Sequence, residues 1–152
     1  STKQHFQLIQ SHIKSKDIKN CEIISDEKIK SHTLKKSVFA VAKSGTISLE
    51  ICKSKIPSLI LYKMNLINYL IVRLLVKVKF ANIINIAANE EIIPELLQSK
   101  CNAKNIFVSV SEFINNPNKM KEQVNKSQLI LEKLKSSTSS AVSASKILIK
   151  YL

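Results

Sequence analysis

Apolar positions along this chain recur in two rhythms, and the change of rhythm marks its elements. Phe6, Ile9 and Ile13 fall at helical spacing between polar residues, so residues 3 to 15 are predicted to form an amphipathic helix. Glu22 to Ser25 reads as a short strand centred on Ile23 and Ile24, and Asp26 opens a polar, lysine-rich helix ending near Ser37. Val38 to Ala42 is short and continuously apolar, the pattern of a strand covered on both faces of a parallel sheet. A helix from Thr46 to Lys55 follows, and Pro57 introduces a third strand, Ser58 to Tyr62. Strand, helix, strand, helix, strand at this spacing implies right-handed crossovers and an α/β fold with a doubly wound parallel sheet.

The second half is more helical. Leu66 to Val76 is a strongly apolar helix, with Tyr69 and Arg73 four apart; it reads as a core helix or as one that also touches lipid or another domain. Val78 to Ile86 reads as a short strand leading to Asn85, and Glu90 to Gln98 as a helix that Pro94 tightens or kinks. A helix over Ala103 to Asn115 ends at the break Asn115-Asn116-Pro117-Asn118. Residues 118 to 135 form another, Ser136 to Ser140 a linker or cap, and Ala141 to Leu152 a last helix. No internal repeat is visible.

The change from strand to helix at Ser44-Gly45-Thr46 is where chemistry enters. It holds the only glycine of 152 residues, between two hydroxyl residues at the start of a helix. A helix start presents unpaired backbone N–H groups and the positive end of its dipole, so it can hold a phosphate, and a residue without Cβ lets the ligand approach. Glu50 follows Thr46 by four positions, on the same helical face one turn down, where a carboxylate can accept hydrogen bonds from a sugar. The same turn also occurs in α/β proteins that bind nothing there, with the glutamate a solvated helix residue.

Composition narrows the classes. A chain of 152 residues with 45% hydrophobic content can bury its own core. The net charge of +13 permits an anionic partner, yet all but one of the 24 basic residues are lysines spread along the chain, the exception being Arg73. With one arginine for bidentate contacts and 5% aromatic residues for stacking, specific nucleic-acid recognition is disfavoured, whereas an anionic membrane surface stays open. Cys21, Cys52 and Cys101 are odd in number and far apart, which suggests reduced, buried thiols in a cytoplasmic protein, without a disulfide framework or a zinc set. His5 and His12 share a helix face without an acidic or thiolate partner nearby, and His32 falls on a polar helix; all three read as surface or packing residues. Lys63, Arg73, Lys77 and Lys79 interrupt the most apolar region and argue against a transmembrane helix.

These residues carry a resemblance. Ser44-Gly45-Thr46 with Leu49-Glu50, Pro57, Tyr62-Lys63-Met64, Tyr69, Arg73, Leu75-Val76-Lys77, Asn85 and Pro94-Glu95-Leu96-Leu97-Gln98 run in order and without a gap across residues 38 to 98. In this the chain resembles the C-terminal part of lipid-A-disaccharide synthase. Three positions depart from that family's pattern: Lys43 replaces a small residue, Ile84 stands where proline is frequent, and Asn89 where glycine is common.

The resemblance implies the Rossmann-like C-terminal half of a GT-B glycosyltransferase that transfers an acylated glucosaminyl group, with inversion, from UDP to acylated glucosamine 1-phosphate. Ser44, Gly45 and Thr46 would then face the diphosphate and Glu50 the ribose, while Asn85, Glu95 and Gln98 would line the donor side of the cleft. Residues 1–116 would be the donor-binding domain, N-terminally incomplete, and 117–152 a C-terminal helical extension. No cofactor and no metal site is implied. The catalytic base is expected in an N-terminal domain, so the chain reads as a fragment, a split-gene product or half of a two-chain enzyme with a companion chain, inactive alone. The complete enzyme would lie peripherally on the inner face of the cytoplasmic membrane. The competing readings are a non-catalytic remnant that has lost nucleotide binding, and a basic protein associated with membrane or nucleic acid.

Overall fold

The computed structural model describes residues 3–65, 69, 79–135, 145, 148 and 149. The chain divides into two compact units, Ser1–Ser37 and Val38–Leu152. The first holds two helices, α1 (Lys3–Ser15) and α2 (Glu27–Lys36). The start of α2 follows from Asp26, whose Oδ1 accepts the N–H groups of Lys28 and Ile29 at 2.8 and 2.9 Å and so satisfies donors that a helix start leaves open. The strand expected at Glu22–Ser25 does not form. Ile23 and Ile24 are half-buried there, but four residues gain ladder hydrogen bonds only beside another strand, and this unit contains none among its described residues.

The second unit is an α/β fold around an open parallel sheet of β1 (Ala40–Lys43), β2 (Ser58–Tyr62) and β3 (Glu95–Leu97), in the order β1-β2-β3. Ala40 pairs with Ser58 and Lys43 with Leu61, while Ile60 pairs with Glu95 and Tyr62 with Leu97. Leu59 and Ile60 point to opposite faces and both are fully buried, so β2 is the covered central strand that its apolar run predicts. Helix α3 (Thr46–Lys53) connects β1 to β2, and a short helix α4 (Ile83–Ala88) precedes β3. After a 3₁₀ turn at Gln98–Lys100 come α5 (Ala103–Ile114) and α6 (Pro117–Leu134), and α6 packs on α3, α4 and α5. This is a Rossmann-like half with helices after the sheet.

Two expectations between β2 and α5 are overturned. The stretch expected as a strand at Val78–Ile86 forms none among its described residues, and from Ile83 on it is α4, because Asn82 caps a helix start by accepting the Ile84 N–H at 2.8 Å. Asn89 ends that helix in the left-handed region, φ 52° and ψ 31°. Asparagine is the residue that tolerates this conformation best after glycine, which accounts for its standing where glycine is common. Glu90–Gln98 is not a helix: Pro94 interrupts it, its carbonyl accepts the Ile60 N–H at 2.9 Å, and the chain continues as β3. Of the helix expected at Leu66–Val76 only Tyr69 is described, and of the last helix only residues 145, 148 and 149, each of them helical; the linker at Ser136–Ser140 lies outside the described residues.

Cys52, Ile60, Ile84, Ile92 and Ile93 form the core, with Ala42, Leu49, Ala88, Ile130 and Leu131 packed against them. Gln123 of α6 is buried and treats β2 as a neighbouring strand would: its Oε1 accepts the Ser58 N–H at 2.6 Å and its Nε2 donates to the Ser58 carbonyl at 3.0 Å. Gln128 likewise donates to the Cys52 carbonyl. Among the described residues no helix is long and apolar enough to cross a membrane.

Burial pushes the Cys52 thiol up from 9.0 to about 11, against a smaller opposing effect of its hydrogen bond with Ser127. The folded state therefore holds a proton that the unfolded chain releases, and this part of the stability is complete below pH 9 and is lost as pH rises to about 11. At about 1.4 kcal/mol per pH unit, wild type is expected to lose roughly 2–3 kcal/mol over that window relative to Cys52→Ala. Urea melts of both proteins at each pH measure it, and parallel pH profiles would refute it. Iodoacetamide at pH 8 should correspondingly mark the exposed Cys21 and spare Cys52.

Candidate functional site

Because the sheet is parallel, all three strands end on the same edge: β1 at Lys43, β2 at Tyr62 and β3 at Leu97. Ser44, Met64 and Gln98 stand just beyond these ends, the position at which open α/β sheets hold ligands. The ammonium of Lys43 lies 6.0 Å from the centre of the Tyr62 ring, over the neighbouring strand. A cation held on an aromatic face here is drawn toward the end of β2.

Gly45 is the N-cap of α3, with φ 155° and ψ −165°. That conformation belongs almost entirely to glycine, and a Cβ built there would meet nothing within 4 Å. The glycine is thus demanded by backbone shape, and among the described residues none fills the space beside it. The cap has no side chain to satisfy the first N–H groups of α3, although Ser48 turns back and donates both its N–H and its hydroxyl to the Gly45 carbonyl, at 3.1 and 2.7 Å. Thr46 and Glu50 are exposed on this helix. Ser44 behaves otherwise. Its hydroxyl proton goes to the Ala81 carbonyl at 2.6 Å, and its N–H to the Leu61 carbonyl at 3.3 Å.

The other three expected residues are engaged with the protein itself. Asn85 is fully buried, and its side chain makes four hydrogen bonds: Oδ1 accepts the N–H groups of Ile92 and Ile93 at 3.0 and 2.9 Å, and Nδ2 donates to the Ile93 carbonyl and to Glu95 Oε1, both at 2.7 Å. Glu95 also takes the Ala81 N–H on Oε2 at 2.7 Å and the Asn82 N–H on Oε1 at 2.9 Å. Gln98, at φ 49°, accepts the Met64 N–H at 2.9 Å and returns its amide to the Met64 carbonyl at 3.3 Å. Asn85 and Glu95 therefore meet, Ser44 reaches the turn that Glu95 holds, and Gln98 ties the chain after β2 to the end of β3.

Beyond β3 a cleft of about 530 Å³ is lined by Tyr69, Lys79, Phe80, Glu95, Gln98 and Lys100, among others. Phe80 and the Ala81–Asn82 turn do not stand out in the sequence, and Lys79 does so only as a break in the apolar region. The available signal was Asn82 immediately before an apolar run, a helix-start signature hidden by reading that run as a strand. Among the described residues no three His, Cys, Asp or Glu side chains come together to hold a metal.

The sequence model of a family described as Lipid-A-disaccharide synthetase matches residues 1–148. The chain belongs to the lipid-A-disaccharide synthase family. Among curated relatives, the lipid-A-disaccharide synthase of Rickettsia felis is 44% identical over 118 residues, covering 78% of this chain and 30% of the relative. That of Rickettsia prowazekii is 43% identical over 115 residues, covering 76% and 30%, and that of Rickettsia bellii 42% identical over 112 residues, covering 74% and 29%. The match thus spans less than a third of the length of these synthases. All of the elements that build the strand ends, the Gly45 cap and the Asn85–Glu95 pair lie inside the stretch matched by the family.

Proposed function

We propose that this chain is the donor-binding portion of a lipid-A-disaccharide synthase of GT-B type, with residues 1–116 carrying the donor site and 117–152 extending it. The reaction is inverting transfer of an acylated glucosaminyl group from UDP-diacylglucosamine to an acylated glucosamine 1-phosphate. One observation carries this reading: a glycine-capped helix start, open in front and without a side-chain cap, at the carboxyl edge of a parallel sheet in a member of this family. The leaving diphosphate gains negative charge as the glycosidic bond breaks, and fixed N–H dipoles at the start of α3 stabilise that charge without reorganising. Thr46 and the backbone of Ser44 and Gly45 meet the diphosphate, and Glu50 accepts the ribose hydroxyls. Asn85, Glu95 and Gln98 serve the donor side of the cleft.

Removal of the acceptor hydroxyl proton needs a base. That base belongs to the part of the synthases' length that this match does not span, supplied in the same polypeptide or by a companion chain. The chain alone binds donor and does not turn it over. Acylated substrates place the complete enzyme peripherally on the inner face of the cytoplasmic membrane, where lysines favour anionic lipid.

Titration of UDP by calorimetry tests the site. Saturable binding is expected, and Glu50→Ala should weaken it by about tenfold, the worth of charge-assisted hydrogen bonds to one sugar. Pyrophosphate, which lacks the ribose, should bind both proteins equally. A folded chain without saturable UDP binding, or Glu50→Ala with unchanged affinity, would refute the assignment.

A further inference from the structure

We propose that Glu95 is a positioning residue for the Ser44-Gly45-Thr46 loop and acts through a single peptide unit, the one joining Ala81 to Asn82. The N–H of that unit, on Asn82, donates to Glu95 Oε1 at 2.9 Å, and its carbonyl, on Ala81, accepts the Ser44 hydroxyl at 2.6 Å. A peptide unit is planar, with N–H and C=O on opposite edges, so holding one edge orients the other. The carboxylate is in turn over-determined: it is about nine-tenths buried and accepts from Ala81, Asn82 and Asn85 together. A negative charge on the N–H edge also polarises the carbonyl toward the serine, which strengthens the second hydrogen bond.

The consequence lies at the glycine. Ser44 is held at its N–H by Leu61 of β2 and at its hydroxyl by Ala81, and the next residue is the one whose φ of 155° only glycine adopts readily. Fixing Ser44 from two sides sets the direction in which the chain enters Gly45 and thereby aims the N–H groups of α3. The hydroxyl proton of Ser44 is spent in this contact, so its side chain serves loop geometry and does not donate to a phosphate. The loop's importance for a ligand rests on the donor-site reading above; the coupling itself is a property of the free protein.

Amide NMR on the UDP-free chain therefore tests the coupling by itself. Glu95→Gln, which turns an acceptor into a donor facing N–H groups, is expected to shift the Gly45 and Thr46 amides, and the shift should vanish in a Ser44→Ala background. Ser44→Ala should reciprocally speed hydrogen exchange of the Asn82 amide, and Ser44→Thr, which keeps the hydroxyl, should restore it. The Ser44 variants decide the question even if Glu95→Gln does not fold. In UDP titrations each single variant should weaken binding about 5- to 10-fold and the double variant no more than the larger single, whereas independent roles would multiply to roughly 25- to 100-fold. Unmoved Gly45 and Thr46 amides, an unchanged Asn82 exchange rate, or multiplicative losses would overturn the proposal. Absence of UDP binding by the folded wild type would overturn only the donor reading, since the amide response is read without ligand.

Discussion

Asn85→Leu is expected to destabilise the chain by about 3–4 kcal/mol, the largest stability loss of any single substitution considered for this protein. Leucine has the same branched set of heavy side-chain atoms as asparagine in bulkier form, so the loss does not come from a cavity. It comes from four hydrogen bonds at a fully buried side chain: the Ile92 and Ile93 N–H groups and the Ile93 carbonyl lose this partner, and Glu95 Oε1 is left with the Asn82 N–H alone. A buried polar group left unpaired costs roughly 1–3 kcal/mol, and water cannot reach this one. Thermal unfolding followed by circular dichroism should show a fall of roughly 10–20 °C. Asn85→Asp separates the two halves of the effect. It keeps the one oxygen that accepts both N–H groups but replaces the amide donor by a second carboxylate oxygen facing Glu95, and like charges this close repel. Its deficit should accordingly narrow as pH falls and widen as pH rises. A loss below 1 kcal/mol for Asn85→Leu, or a pH-independent deficit for Asn85→Asp, would contradict the hydrogen-bond arrangement.

Gly45→Val is expected to abolish UDP binding, by about 100-fold or more, while the chain stays folded. Among the described residues nothing stands within 4 Å of a Cβ at this position, so the Cβ itself meets no clash there. Two separate penalties remain. At φ 155° and ψ −165° any side chain is strained by about 1–3 kcal/mol, most of all a β-branched one, and relief of that strain moves the N–H groups of α3. The new methyl groups also occupy the open space in front of the helix. Gly45→Ala carries less of the strain and little bulk, so its binding loss should be intermediate, and urea melts should show it destabilised less than Gly45→Val. Equal UDP affinity in wild type and Gly45→Val would remove the helix start from the site.

The candidate site was legible in sequence to the extent that its chemistry is local. A glycine between hydroxyl residues, at a strand-to-helix change, announces a helix start whatever surrounds it, and α3 starts there, with Gly45 and not a hydroxyl as its cap. Asn85, Glu95 and Gln98 were also singled out, yet what they touch could not be read. Each makes its contacts with backbone groups distant in sequence: Gln98 with Met64, 34 positions away, and Glu95 with Ala81 and Asn82, 14 and 13 positions away. An amide or carboxylate suits a ligand and a peptide group equally well, and only the fold decides which arrives. The same holds for Gln123, which looks in sequence like any polar helix residue and is in fact buried against Ser58, 65 positions away.

By itself the sequence determined the α/β class, β2 residue for residue, the starts of α2, α3 and α5, and membership of the synthase family. The elements follow from apolar runs, caps and short-range order, which act between residues a few positions apart, and the family from the ordered motifs that carry the resemblance. The tertiary structure decided the identity of the stretch from Val78 to Gln98. Its apolar residues fit a strand or a helix equally well, and Asn85, bound to Ile92 and Ile93, turns the first part into a helix that hands the second to the sheet. It also decided that Glu95 and Ser44 meet across one peptide unit, because a contact between residues 51 positions apart exists only once β2 and β3 have paired and brought their ends to one edge.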